Sequence, residues 1–453
     1  MQNKKNYTSA FISLTVLFFM WGFMTVLNDI LIPYLKGVFE LNYFKAMLVQ
    51  FAFFLAYFIG SAVYFIFSVT KGDPINKIGY KNGIVAGLIV SAIGALLFYP
   101  AALFHMYGFF LSALFVLGLG FTLLQISANP YVAILGSEES ASSRLNLAQG
   151  FNSLGTTIGP VIGGFLIFTF FKNAEGSDAV KIPYLVFALL FVLVAVFIGK
   201  TKLPVFTNSE EIVKGFGAFK YPQLVFGMFA IFMYVGGEVS IGSMIINFLH
   251  LPEIGGMTET QASTYVAFYW GGQMIGRFLG AISLSEIKLK VFKYFLMFIV
   301  PVVSFITVGL ITNFDTANIF GILLIINYLA FVFAGKRANR NLYVFAGINI
   351  VLLAIVLNTT GQLALWSLVG IGLFNSIMWS NIFTLAISGL GKYTSQGSSL
   401  LVMMILGGAI LPVISGLVAD SFGIQMAFIV PVFSYVYLMF YGLVGYKQNK
   451  IEL

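Results

Sequence analysis

Apolar residues run along this chain in blocks of about twenty, separated by short polar stretches. Blocks of that length predict membrane-spanning helices. They fall at 11–38, 45–70, 83–103, 106–135, 145–171 and 182–200, and again at 222–250, 261–284, 289–312, 317–335, 342–358, 362–390, 396–418 and 425–446. Between the two sets lies a polar stretch, Lys200 to Tyr221, with Pro204, Asn208, Ser209, Glu210 and Glu211. The pattern therefore predicts six spans, a linker and eight further spans. The blocks do not alternate residue by residue, which sets them apart from the strands of a membrane barrel. The first block follows Lys4 and Lys5 as a signal peptide would, yet it is too long for one and no small-residue cleavage site follows, so it is expected to stay as a span.

Charge then sets an orientation. Of 24 basic residues, only Lys36, Lys45, Lys172 and Lys181 fall in loops on the far side, and Arg277 falls within a span. All the others lie in loops on the side of the N-terminus, an asymmetry that places both termini in the cytoplasm. Composition agrees with a bilayer environment: 59% of the 453 residues are hydrophobic and 9% are charged, against about 25% charged in soluble domains. A soluble enzyme, a disordered chain and a nucleic-acid binder are excluded. With no cysteine, there is no disulfide and no thiolate metal site.

An internal repeat organises the spans. Gly155–Gly164 (GTTIGPVIGG) and Gly407–Gly416 (GGAILPVISG) share six of ten residues at an offset of 252. The same offset carries Gly118 onto Gly370, Gly120 onto Gly372 and Asn129 onto Asn381. Earlier landmarks match at 216, as Phe58-Ile59-Gly60 does with Met274-Ile275-Gly276. The difference, 36 residues, is about two short spans. The expected fold is an all-α polytopic membrane protein of two pseudo-symmetric six-helix bundles, 1–200 and 222–453, joined by a linker at 201–221. A helical hairpin is inserted between about 285 and 362, but the pattern leaves open which two of the three helices there are extra. Tandem six-helix repeats suit alternating access around a site at mid-membrane. Glycine ridges at Gly155, Gly159 and Gly163 and at Gly272, Gly276 and Gly280 read as close helix packing.

Charges inside spans are costly and need a reason. Asp29 in the first span and Glu238 in the seventh are candidate ion-coupling groups, able to carry a proton or to ligate a cation such as sodium. Arg277 reads as a structural group that snorkels or pins a loop through Glu286 or Asp73. Pro33 and Pro130 each remove a backbone donor, which loosens the helix beside Asp29 and beside Gln125. Amides cluster on helix faces: Gln125 with Asn129, then Asn146, Gln149 and Asn152, then Gln273 near Trp270, and Asn375 near Trp379 and Asn381. Amides donate and accept together, and an aromatic face can stack on a ring. The set points to a polar, uncharged ligand.

The segments Trp21-Gly22-Phe23, Leu27-Asn28-Asp29-Ile30-Leu31-Ile32, Leu124–Tyr131, Arg144–Ser153 and Gly276-Arg277-Phe278 resemble the fucose/galactose/glucose permeases of the major facilitator superfamily. The resemblance covers nearly the whole chain apart from the inserted hairpin. It implies a sugar importer of the bacterial cytoplasmic membrane, driven by a cation gradient. Where this chain has Gln125, fucose:proton symporters carry a Glu that couples proton release. Glu238 stands where they carry Gln, a pattern similar to the glucose/galactose branch, some of which use sodium.

The expected function is hexose:cation symport, for glucose or galactose, with a proton or sodium. L-fucose:proton symport and passive sugar facilitation are the alternatives. Asp29 and Glu238 are the expected coupling acids. Asn28, Asp29, Gln125, Asn129, Gln149, Asn152, Glu238, Gln273, Asn375, Trp379 and Asn381 are the expected sugar contacts. No cofactor is expected beyond the co-transported ion, and the partners are a monosaccharide and the lipid bilayer, with no nucleic acid, for a monomer. A membrane-embedded enzyme finds little support, because His105 and His250 are the only histidines and lack acidic partners at metal spacing.

Overall fold

The computed structural model describes residues 8–41, 43–164, 178–204 and 215–448, and all regular structure among them is helical. In order the helices are α1 (Thr8–Thr25), α2 (Leu27–Val38), α3 (Tyr43–Lys71), α4 (Pro74–Ile78), α5 (Tyr80–Leu96), α6 (Phe98–Leu103), α7 (Tyr107–Ile134), α8 (Ala141–Gly164), α9 (Lys181–Lys200) and α10 (Pro222–His250). They continue as α11 (Glu259–Ser283), α12 (Lys290–Ile311), α13 (Phe314–Ala334), α14 (Ala338–Asn358), α15 (Gly361–Asn375), α16 (Met378–Ile387), α17 (Thr394–Met403), α18 (Gly407–Phe422), α19 (Ile424–Ala427) and α20 (Ile429–Phe440). Most of the expected linker, 205–214, and the end of the fifth expected span, 165–171, lie outside the described residues.

Among the described residues, eleven stretches are long and apolar enough to cross a membrane. They are α3, α5–α6, α7, α9, α10, α12, α13, α14, α15–α16, α17–α18 and α19–α20. The other three expected spans coincide with α1–α2, α8 and α11. The first is interrupted by a turn at Val26. The other two are long enough but carry the amides and arginines singled out above, which lowers their hydropathy. The helices least like ordinary lipid-facing spans are thus those that carry many of the candidate polar residues.

The chain divides into two compact units. One comprises Met1–Gly136, Leu154–Ala218 and Leu390–Met403, the other Ser137–Ser153, Phe219–Gly389 and Met404–Leu453. In the first, α5 packs on α7 and α9, and α3 packs on α7. In the second, α14 packs on α15 and α20, and α11 packs on α15. The pattern of partners around α5 therefore recurs around α14. Helices α12 and α13 pair with each other and lean on α11, with lighter contact from α13 to α14 and α15. Much of α12 is exposed, including Phe295, Phe298 and Val303, as a lipid-facing helix requires.

Two repeat-related glycines fix equivalent close approaches. A Cβ on Gly155 of α8 would overlap the Phe19 carbonyl of α1, and one on Gly407 would overlap the Phe232 carbonyl of α10. Small residues let helix backbones meet in a bilayer, where no hydrophobic effect drives helices together. Gly272 and Gly276 similarly lie against Leu373 and Ser376. The Gly155 and Gly407 contacts also calibrate the repeat. Asp29 lies ten residues beyond Phe19, whereas Glu238 lies six beyond Phe232, so the two acids sit about one helical turn apart in equivalent helices.

Asp73, between α3 and α4, is not joined to Arg277. Its Oδ1 accepts from the Tyr64 hydroxyl at 2.5 Å and from the Ile75 backbone N–H at 2.9 Å, capping α4. Beside it Ser395 of α17 donates to the Tyr80 hydroxyl at 3.3 Å, and Asn76 Nδ2 donates to the Lys392 carbonyl at 3.1 Å. Burial pushes the Asp73 carboxyl above the usual carboxylate range, because the charged form loses its hydration.

Gly155→Val and Gly407→Val should each lower the thermal midpoint in detergent by an amount equivalent to about 1–3 kcal/mol, while Gly199→Val, with open space around it, should leave it near wild type. A carboxyl whose folded pKa exceeds its unfolded one contributes stability that is complete below the unfolded value, near 4, and that declines as pH rises through the folded value. Thermal midpoints measured from about pH 4 toward neutrality should thus fall less steeply for Asp73→Asn than for wild type.

Candidate functional site

The second unit holds a polar cluster at the depth of its spanning helices. Glu238, half-buried on α10, accepts a hydrogen bond at Oε1 from Tyr234, one turn earlier on the same helix (2.6 Å). Its backbone carbonyl accepts from the Tyr269 hydroxyl of α11 (3.1 Å). The Arg277 guanidinium lies within the field of the carboxylate and donates from Nη2 to Gln273 Oε1 at 3.4 Å, while Gln273 Nε2 is buried without an acceptor. Tyr269, Gln273 and Arg277 follow one another at four-residue spacing, so one face of α11 carries all three.

Asn375 ties this cluster to the rest of the unit. It ends α15, where Ser376 and Ile377 interrupt the span before α16 begins. Its Nδ2 donates to the Tyr269 hydroxyl (2.9 Å), while its Oδ1 accepts from Tyr435 of α20 (2.7 Å) and from Asn349 of α14 (3.0 Å). Tyr234 lies 3.2 Å from its backbone carbonyl. The interruption frees backbone groups that must find partners within the protein. Arg277 Nε donates to the Ser376 carbonyl at 3.1 Å, and Asn327 of α13 donates to the Leu373 carbonyl at 3.2 Å. Arg277 also donates to Ser153 Oγ and reaches the Gln149 carbonyl. It makes no bond to Glu286, which accepts instead from Ser137. Its expected role as a loop pin is replaced by a role at the centre of the unit.

The other expected site residues divide. In the first unit, Asn129 Nδ2 donates to the Gln125 carbonyl (3.1 Å) and lies 3.4 Å from Gln125 Oε1. Gln125 and Trp21 both hydrogen-bond the buried Tyr57 hydroxyl. Asn28 and Asp29 lie on α2, but their side chains are outside the described residues. In the second unit, Gln149 is buried and Asn152 half-buried on α8. Asn375 and Asn381 are wholly enclosed, at 0% exposure. Asn381 accepts from Asn146 (3.2 Å) and donates to the Ala338 carbonyl (3.4 Å), which is helix-to-helix bonding away from Glu238. Trp379 stacks on Phe383, ring centroids 5.0 Å apart.

Tyr57, Tyr234, Tyr269, Tyr435 and Asn349 were not singled out by the sequence. Tyr234 could have been: it stands four residues before a charged group inside a span, and a charge there needs a partner on its own face. The other four come from spans remote in sequence and carry no local mark.

The chain matches the Major Facilitator Superfamily model over residues 10–335. It belongs to that superfamily. It is 46% identical to the glucose/galactose transporter of Brucella abortus biovar 1 (strain 9-941), covering 98% of this chain and 96% of that protein. It is 30% identical to the L-fucose-proton symporter of Escherichia coli (strain K12), covering 97% and 93%. The solved structure of the major facilitator transporter FucP in the outward conformation superposes with a TM-score of 0.77 at 29% identity, covering 98% of this chain and all of that one. This major facilitator protein is thus a multi-pass membrane transporter and not an enzyme.

Removing a buried hydrogen-bond partner costs about 1–3 kcal/mol for each group left unmatched. Asn375→Leu, which takes the Asn375 partner from Tyr435, from Asn349 and from Tyr269, should therefore lower the thermal midpoint more than Tyr435→Phe, which removes one donor. Equal shifts in a detergent melting assay would remove Asn375 from the centre of the cluster.

Proposed function

We propose that this protein imports a hexose, glucose or galactose, together with a proton, by alternating access between two six-helix bundles. The observation that carries this reading is a carboxylate at membrane depth, Glu238, held by Tyr234 in the field of Arg277, beside an interrupted span. A carboxylate in such a place can take up a proton and lose its hold on Arg277, or release the proton and regain it. The names of the relatives support a sugar as cargo, and the symporter among them supports the proton as the coupled ion.

In this reading Asp29 is the main coupling acid and Glu238 the second acid or an acceptor for a sugar hydroxyl. Gln125, Asn129, Gln149, Asn152 and Gln273 meet the sugar, with Asn28 beside Asp29. Asn375 and Asn381, with all-round protein contact, position other groups: Asn375 sets Tyr234 and Tyr269 about Glu238, and Asn381 holds α8 to the start of α14. Trp379 offers a ring face. The bundles are 1–200 and 222–453, and α12–α13 is the inserted hairpin, because α14 has the partners expected of the third helix of a repeat. The transporter sits as a monomer in a bacterial inner membrane, with both termini in the cytoplasm by the bias of its basic loops.

Uptake of radiolabelled glucose, galactose and L-fucose into proteoliposomes, under proton and sodium gradients imposed separately, tests the reading. Glucose or galactose should accumulate with the proton gradient. Asp29→Asn and Glu238→Gln should each reduce uphill accumulation by more than about tenfold, the scale of one lost charge-assisted interaction, and Asp29→Asn should leave counterflow intact. Uphill accumulation by Asp29→Asn would sink the coupling role, accumulation only with sodium would replace the ion, and preference for fucose would replace the sugar.

A further inference from the structure

The α12–α13 hairpin is bracketed by basic residues from two turns. Lys288, Lys290 and Lys293 stand where α11 passes into α12, and Lys336, Arg337 and Arg340 where α13 passes into α14. The turns are knitted together. Ser283 Oγ reaches the Gly335 carbonyl (3.5 Å), Asn341 Nδ2 donates to the carbonyls of Gly335 (2.7 Å) and Arg337 (3.0 Å), and Lys293 Nζ donates to the Ser285 carbonyl (3.1 Å). Lys293 and Lys336 stand close enough for their charges to repel.

Among the described residues none of these six cations forms an ion pair. The nearest acid in sequence, Glu286, is engaged with Ser137 and lies in the field of Arg144. Arg340 is held over the Phe333 ring, 4.9 Å from its centroid, and its Nε is buried without an acceptor. Like charges gathered without a counter-ion, with a guanidinium donor left unmatched, call for an anion. Directly beside them the hairpin exposes a band of large apolar side chains, Val291, Phe292, Phe295 and Phe333 among them. A soluble phosphate would use the cations and leave that band untouched. A phospholipid uses both, its headgroup on the cations and its acyl chains along the exposed faces of the hairpin.

We propose that these two turns bind the phosphodiester headgroup of an anionic membrane phospholipid, with Arg337 and Arg340 as the principal phosphate donors and the lysines as supporting charges. The guanidinium fork matches phosphate oxygens in pairs, whereas an ammonium acts as a point charge. The site lies outside the Glu238 cluster and does not depend on the transport reading.

The test uses the full-length protein purified in detergent, with phosphatidylglycerol, phosphatidylcholine and inorganic phosphate as separate probes. Lipid retained in native mass spectra and the thermal midpoint are the readouts. Wild type should retain phosphatidylglycerol over phosphatidylcholine and be stabilised by it, and inorganic phosphate should not substitute. Each basic group near a membrane surface is worth about fivefold in affinity, so Lys336→Gln/Arg337→Gln/Arg340→Gln should weaken retention more than about tenfold. Lys200→Gln/Lys202→Gln/Lys220→Gln, an equal loss of charge elsewhere, should keep it. Should the first triple variant not fold, Lys288→Gln/Lys290→Gln, on exposed positions, should show the same loss in smaller degree. Equal loss in both triple variants, no loss at either turn, or equal protection by inorganic phosphate would overturn the proposal.

Discussion

The second unit turns on one side chain amide. Asn375 takes hydrogen bonds from α14 and α20, gives one to α11, and lies beside Tyr234 of α10 through its backbone carbonyl. Five helices, counting its own, thereby meet at a single residue inside an apolar environment, where every unmatched polar group is costly. A leucine could fill the space but could not specify which rotation of each helix brings its tyrosine inward. The amide does so, because it has a donor side and an acceptor side: Tyr269 accepts at the first, while Tyr435 and Asn349 donate to the second.

That specification has a purpose because α15 stops at the same point. A broken span exposes carbonyls that a continuous helix would satisfy itself. Arg277 meets one and Asn327 meets another. Among its ties, Arg277 joins the break, through the Ser376 carbonyl, to Glu238, whose carboxylate lies in its field. A change in the charge of Glu238 is felt at the interruption, where the backbone is least constrained by its own hydrogen bonds. The α12–α13 pair enters the same arrangement through Asn327, which donates to the Leu373 carbonyl of the broken span.

The all-helical, membrane-spanning character was legible because it is written in periodicity and length, which are local or one-dimensional. Even the polar faces were legible where partners share a helix, as Gln125 and Asn129 do. The Asn375 arrangement was not, because Tyr269, Asn349 and Tyr435 come from spans whose neighbours are set by three-dimensional packing. Asn375 and Asn381 look alike as intramembrane amides, yet one meets the tyrosines around Glu238 and the other joins α8 to α14. Arg277 shows the same limit. Its place near the end of a span suggested a loop partner, and only the break at Ser376, several spans away, explains where its guanidinium goes. The helix partners also needed packing: α12, α13 and α14 read alike in hydropathy, and of the three α14 alone has the partners that α5 has.

The division of the chain into units falls inside repeat-related helices. Moving Ser137–Ser153 forward by 252 residues gives Gly389–Ile405, and Leu390–Met403 is the segment grouped with the first unit. In both helices the polar half and the glycine half thus fall in different units. The two halves are held by different physics. Gly155 and Gly407 meet a backbone at a distance that admits no side chain, an interface that only close packing can satisfy. The polar halves are held by exchangeable bonds: Asn146 to Asn381, Ser143 to the Ala281 carbonyl and Ser153 from Arg277 in one unit, Ser395 to Tyr80 in the other. Bonds of this kind can be traded for bonds to water at a net cost of about 0.5–1.5 kcal/mol each, whereas separating packed backbones in a bilayer offers no substitute partner.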